Sequence, residues 1–374
     1  LVGIFMFGVQ TYFLSKAFGY LIRILIFSID SSLLNKDIFS IFLLGIDIID
    51  WISFTIVIVF QSLIFSVGMN FNKRLINYSA ITVYGGMIIF FFVVLLSDVK
   101  LTTKAFSELL DYKNFFEVEN IFALLTVAGT IFAYFSIMIT CFGDFSRYVK
   151  NEDELRKGNL SLITNLIIFS IFSVFIVVGS DVFLNLRFLD LSSILTSPTD
   201  IIGKFDNTSI TVIAIFFIII ASASTNMVAN FIPSQYSLIN FMPNSLNLKS
   251  VSYVISIIGF LVGIFWLTVL SQIGILSLVD TFSCFFGPLF GLMIADYYLI
   301  RSKTISNKDI YSTEKSSIYY FSNGWHMKGC YSLLIGFIFS ASTIWNPNLM
   351  FLQSFAWIIG AIITLITYYL LAKK

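Results

Sequence analysis

The chain has 374 residues, of which 58% are hydrophobic and only 11% charged, and its formal net charge at pH 7 is +1. With a mean hydropathy of +0.93, this composition excludes an ordinary soluble domain, in which about a quarter of the residues are charged. There is no polybasic segment for nucleic acid, Cys141, Cys284 and Cys330 lack metal-ligand spacing, and no cluster of acid, base and nucleophile points to an enzyme.

The remaining pattern is that of an all-α integral membrane protein. Ten apolar segments come close to the roughly 20 residues a bilayer crossing needs: 2–18, 51–69, 75–96, 121–141, 160–179, 209–231, 251–270, 275–300, 329–344 and 349–371. A further short helix lying in the interface is expected over 21–27 and 38–49. If the segments alternate from a cytoplasmic start, Lys73, Arg74, Arg147, Lys150, Arg156 and Lys157 fall inside, while Asp98, Glu108, Asp111, Asp190 and Asp206 fall outside. Basic residues favour the cytoplasmic side, so both termini are expected there, in a plasma membrane.

The sixth segment is the most informative. It opens as an apolar run from Thr211 and then turns polar through Ala221, Ser222, Ser224, Thr225, Asn226 and Asn230, with Pro233 expected to close a turn. Polar groups at bilayer depth are unfavourable unless they face a partner, a cavity or a ligand. At spacings of three and four, Ala221, Ser224 and Thr225 share a helix face and could ring a small hard cation. The amide of Asn230 could read a polar ring. Small residues of this kind equally serve close helix packing.

Five segments together resemble the nucleobase:cation symporter-1 family of cytosine, uracil, allantoin and hydantoin permeases. They are Phe-Gly-Val-Gln-Thr-Tyr at 7–12, Gly-Asp-Phe-Ser-Arg-Tyr at 143–148 and Ser-Thr-Asn-Met-Val-Ala-Asn-Phe-Ile-Pro at 224–233. Gly-Pro-Leu-Phe-Gly-Leu-Met-Ile-Ala-Asp-Tyr-Tyr-Leu-Ile-Arg at 287–301 follows, and then the loop with Asp-Ile-Tyr at 309–311 and Asn-Gly-Trp at 323–325. The resemblance implies a secondary transporter with the inverted-repeat fold of five plus five helices, residues 1–374 forming a single transmembrane transporter domain. A midplane site built on interrupted helices would follow. By position, Gln10 and Asn230 would bind the substrate's amide edge. Ala221, Ser224 and Thr225 would bind the coupling ion, sodium or a proton, with the two hydroxyls favouring sodium. No other cofactor is implied, and the partners would be a small heterocycle and the lipid bilayer, around a monomer.

The departures fall on aromatic positions. The family's tryptophan in its third helix is replaced by Met6, and its sixth-helix pair by Tyr134 and Phe135, so Phe135 would stack on the solute and Met6 would offer a thioether contact. The glycine that unwinds that helix is absent at 134, Gly129 being the nearest. The match starts at the family's third helix, and the chain begins with Leu1. The first repeat is therefore expected to be incomplete, from a fragment, a late start codon or a non-transporting relic.

Other residues take structural readings. Asp144 and Arg147 are a gate or an interfacial anchor. Asp296, Tyr297 and Tyr298 are expected to anchor a helix end, Gly287, Pro288 and Gly291 to set a bend and a close helix contact, and Gln61 and Gln272 to make helix–helix hydrogen bonds. His326 is expected to be a structural loop histidine.

Overall fold

The computed structural model describes residues 2–35, 41–97, 99–100, 103–104, 107, 117–187, 201, 207–268, 275–310, 312 and 314–373. Gln272 and most of the acidic external segments lie outside the described residues. Among the described residues, ten helices are long and apolar enough to cross a membrane, one for each expected segment.

Their limits differ from expectation in informative ways. The first helix, α1, spans Val2–Ile29, so residues 21–27 continue it and form no separate interface helix. The helix carries Lys16 and, in its extension, Arg23, both neutralised: Lys16 pairs with Asp50, and Arg23 Nη2 lies 2.6 Å from Asp47 and 2.9 Å from Asp50. Asp50 is 4% exposed and could not be held there unpaired. Asp47 also caps α2 (Ile48–Phe65), accepting from the Asp50 amide at 2.9 Å, as an N-cap carboxylate does. A two-residue antiparallel pair, Phe42–Leu43 with Ile46–Asp47, precedes it.

Then come α3 (Met69–Ser97), α4 (Val118–Thr140), α5 (Glu152–Arg187) and α6 (Thr208–Asn226), the last capped by Asn207. The expected turn at Pro233 is absent. The chain passes from α6 through a π-helical turn, Met227–Phe231, into α7 (Ile232–Phe241). Pro233 has no N–H for the carbonyl four residues back, and the ladder widens instead, Ile232 N–H reaching Met227 O. Such single π turns recur at functional sites. The remaining long helices are α8 (Leu248–Thr268), α9 (Ile275–Ile294, continued by a π turn at Ala295–Ile300), α10 (Met327–Trp345) and α11 (Ala356–Ala372, preceded by a 3-10 segment, Pro347–Phe355).

The chain divides into two compact units. In the first, Leu1–Tyr112 with Asp144–Leu270, α1 packs against α2, α6, α8 and the π turn, while α3 lies on α5 and α6. Phe231 of the π turn is fully buried, its ring 5.3 Å from that of Phe7 and 5.0 Å from that of Phe65. In the second, Lys113–Gly143 with Ser271–Lys374, α9 packs against α4, α10 and α11. Here the expected close contact is present: a Cβ on Gly287 would collide with Trp357 O, and one on Gly291 with Ala361 O.

Candidate functional site

The polar centre of the first unit is assembled from α1, α2 and the α6–π–α7 segment. Asn226 and Asn230 are four residues apart and share a face. They are 0% and 4% exposed, and Thr11 and Gln61 are 0% and 3%. The amide of Asn230 uses its Nδ2 twice, donating to Gln10 Oε1 at 2.7 Å and to Asn226 Oδ1 at 2.9 Å. Asn226 Nδ2 donates in turn to Thr11 Oγ1 at 3.0 Å and to the Phe7 carbonyl at 3.3 Å. Thr11 Oγ1 also lies 2.8 Å from Gln61 Oε1 and 2.7 Å from Phe7 O. Gln61 thus makes the expected helix–helix bond, while its Nε2 is buried without a partner.

Two polar atoms complete the picture. Among the described residues, Gln10 Nε2 and Asn230 Oδ1 make no hydrogen bond. A donor and an acceptor therefore stand free on two side chains already tied together. Interhelical hydrogen bonds in membranes contribute only about 0.6 kcal/mol on average, so five polar side chains are weak helix glue, and a free donor–acceptor pair is a complement to an amide edge.

Of the other expected substrate contacts, Met6 is 8% exposed and precedes Gln10 by one turn of α1. Phe135 belongs to the second unit, on α4, 40% exposed and edge-on to Tyr134 at 5.4 Å. α4 is an uninterrupted helix. A Cβ on Gly129 would collide with Ser354 O, which makes that glycine a packing contact.

Ala221 and Ser224 come together, Ser224 Oγ donating to the Ala221 carbonyl at 3.0 Å. This back-bond is ordinary for a helical serine and leaves the hydroxyl's lone pairs open. Thr225, four residues after Ala221, is exposed, its hydroxyl without a hydrogen bond among the described residues.

Asp144 and Arg147 pair at 2.9 Å, and the guanidinium lies 4.6 Å from the centre of the Tyr236 ring of α7. The hydroxyls of Tyr148 and Tyr236 are hydrogen-bonded. Burial raises the Asp144 carboxyl above its ordinary value, and Arg147 pulls it back. The cluster ties residues 144–148 to the helix that continues from Asn230.

In the second unit Asp296 anchors its helix end as expected. Its carboxylate accepts from Arg301 Nε at 2.7 Å and from the Tyr368 hydroxyl at 2.6 Å. His326 stacks on Phe321 at 4.0 Å, with Nε2 3.3 Å from the Tyr368 hydroxyl. Burial lowers its affinity for a proton, and so do Arg301 and Lys328, against the pull of Asp296.

Sequence reasoning missed three features. Asn226 carries the same-face spacing that would have found it. Thr11 follows Gln10 directly. Asp280, 4% exposed on α9, accepts from Gln353 Nε2 at 3.0 Å while its Oδ1 is buried without a partner; a single carboxylate inside an apolar segment was the available signal.

Ten helices long and apolar enough to cross a membrane, among the described residues, make this an integral membrane protein. Residues 1–363 match the sequence model of the family described as "Permease for cytosine/purines, uracil, thiamine, allantoin", and the chain belongs to that family. It is 25% identical to the allantoin permease of Bacillus subtilis over 244 residues, 65% of this chain and 48% of that protein. It is 24% identical to the purine-uracil permease NCS1 of Arabidopsis thaliana over 195 residues, 52% of this chain and 31% of that protein. The chain thus spans half or less of the length of these curated relatives. Its fold is that of Mhp1, a nucleobase-cation-symport-1 family transporter solved in a closed conformation with bromovinylhydantoin bound. The TM-score is 0.67 at 20% identity, covering 100% of this chain and 74% of that one. This likeness gives the chain the inverted-repeat fold.

Proposed function

We propose that this chain imports a nucleobase or related heterocycle into the cytoplasm as a cation-coupled symporter, by alternating access around the polar centre of α1 and the α6–π–α7 segment. One observation carries this reading. Gln10 and Asn230 are joined at 2.7 Å and still hold one free donor and one free acceptor, the pattern a lactam or ureide edge presents in reverse. The names of the relatives, permeases for allantoin, purines and uracil, support the same substrate class.

The coupling ion binds at Ala221, Ser224 and Thr225 in this reading. The Ala221 carbonyl and the two hydroxyls are hard oxygen ligands suited to sodium. The protein works as a monomeric single domain in the plasma membrane, with both termini cytoplasmic, as the basic residues of the short loops favour. Asp144 and Arg147 act at the inner end as a gate on Tyr236.

The test is uptake of labelled uracil, cytosine, allantoin and hydantoins by cells expressing the chain, with and without sodium. The expected result is sodium-dependent uptake of at least one of them, abolished by Asn230→Ala. No uptake of any heterocycle above that of cells lacking the chain overturns the assignment.

A further inference from the structure

An asparagine amide is nearly symmetric in shape, so the end it presents to a ligand is set by its partners. In the first unit that choice is anchored to the backbone. The Phe7 carbonyl can only accept, so the Asn226 atom 3.3 Å from it is the nitrogen. Asn226 therefore turns its oxygen to Asn230, and Asn230 must answer with its nitrogen, at 2.9 Å. The second hydrogen of that nitrogen goes to Gln10, which must present its oxygen, at 2.7 Å. What remains free is forced: the oxygen of Asn230 and the nitrogen of Gln10.

We propose that Asn226, read out from the Phe7 carbonyl, is the specificity-determining positioning residue of this site: it fixes the polarity of Asn230 and Gln10, so that the pair accepts a solute edge with one N–H donor beside one carbonyl acceptor. The inference rests on the reading that Gln10 and Asn230 receive the solute. Asn226 itself is 0% exposed and acts through Asn230. Thr11 helps to hold it, its hydroxyl taking the other Asn226 hydrogen at 3.0 Å. A solute whose ring nitrogens are methylated offers only acceptors, and it leaves Asn230 Oδ1 unpaired. A site built to hydrogen-bond a group rejects the analogue that lacks it far more strongly than a merely apolar pocket does.

The experiment compares binding of uracil and hydantoin, each against its 1,3-dimethyl form, by the purified chain and by Asn226→Leu and Thr11→Val. The unsubstituted chain should prefer at least one parent over its dimethyl form by about 100-fold or more. In Asn226→Leu the Asn230 amide is released, and the preference should fall at least tenfold. Thr11→Val should move it in the same direction by a smaller factor, while Thr11→Ser, which keeps the hydroxyl, should restore it. Unchanged preference in a folded Asn226→Leu protein, as judged by its melting, overturns the inference and leaves the substrate reading intact. Should that variant fail to fold, an unchanged preference in Thr11→Val overturns it instead. An unsubstituted chain that binds neither parent overturns the substrate reading, and the inference falls with it.

Discussion

Asn230 and Gln10 are 220 residues apart in sequence, and a hydrogen bond of 2.7 Å joins them. It crosses from the π turn to α1, and it leaves each side chain one polar atom to offer. If those two atoms read the solute as a pair, the effects of Gln10→Ala and Asn230→Ala on binding are not additive. Each single variant should weaken binding by roughly 10- to 100-fold, the range for a lost hydrogen bond with its partner left unpaired. The double variant should be little worse than either. A double-mutant cycle on uracil or hydantoin affinity measures this, and full additivity would mean that the two residues act separately.

Ser224 keeps open lone pairs beside the Ala221 carbonyl. Removing the hydroxyl in Ser224→Ala takes one oxygen from a sodium ion. A bond to a charged partner contributes about 1.5–3 kcal/mol, so half-saturation by sodium should rise roughly 10- to 100-fold, with a smaller change in heterocycle affinity at saturating sodium. A sodium titration of substrate binding checks it. An unchanged sodium midpoint would remove Ser224 from the ion site.

Asp280 leans on a single partner, Gln353, at 3.0 Å. Gln353→Leu leaves the carboxyl buried with none and should destabilise the protein by about 1–3 kcal/mol. Replacing both residues with leucine should recover part of that loss, because apolar side chains of similar size often do as well as a buried polar pair. Melting of the three variants decides; a double variant no more stable than Gln353→Leu would show that the carboxyl was satisfied elsewhere.

The stack of His326 on Phe321 brings a pH dependence. The folded ring takes up its proton less readily than the unfolded chain does, whose ordinary value is 6.5. The stability it supports is therefore complete above pH 6.5 and is lost as pH falls through the lower, folded value. Melting temperature should fall on acidification over that window, and His326→Phe should flatten the profile there. Identical profiles for the two proteins would contradict it.

Arg147 has two partners, the Asp144 carboxylate and the Tyr236 ring. At an exposed position each contributes at most about 1 kcal/mol, so Arg147→Ala should lower stability by about that much. Arg147→Lys should recover the charge pair better than the ring contact. An additional fall in turnover at unchanged substrate affinity would mark the cluster as a gate; unchanged turnover would mark it as an anchor.

Much of the fold was legible because its signals are long. Apolar runs of about 20 residues need no tertiary context, and all ten carry helices. Polar residues at depth were also legible, and Asn230 stood out for that reason, while Gln10 was reached only through the motif at 7–12 that resembles the family. What escaped was set by pairing. The continuation of α1 past residue 18 depends on Lys16 and Arg23 finding Asp47 and Asp50 on α2, a long-range match that periodicity does not reveal. Pro233 suggested a turn, but a π turn absorbs its missing N–H without breaking the helix. Asn226 looked like any polar neighbour of Asn230, because its role depends on the Phe7 carbonyl, which belongs to another helix.

The most direct test of the central claim is an experimental structure of the chain with uracil or hydantoin bound. The account predicts a ring N–H on Asn230 Oδ1 and the adjacent ring carbonyl on Gln10 Nε2, with Asn226 still turned to the Phe7 carbonyl. A ring bound away from this pair, or one meeting the nitrogen of Asn230, would contradict it.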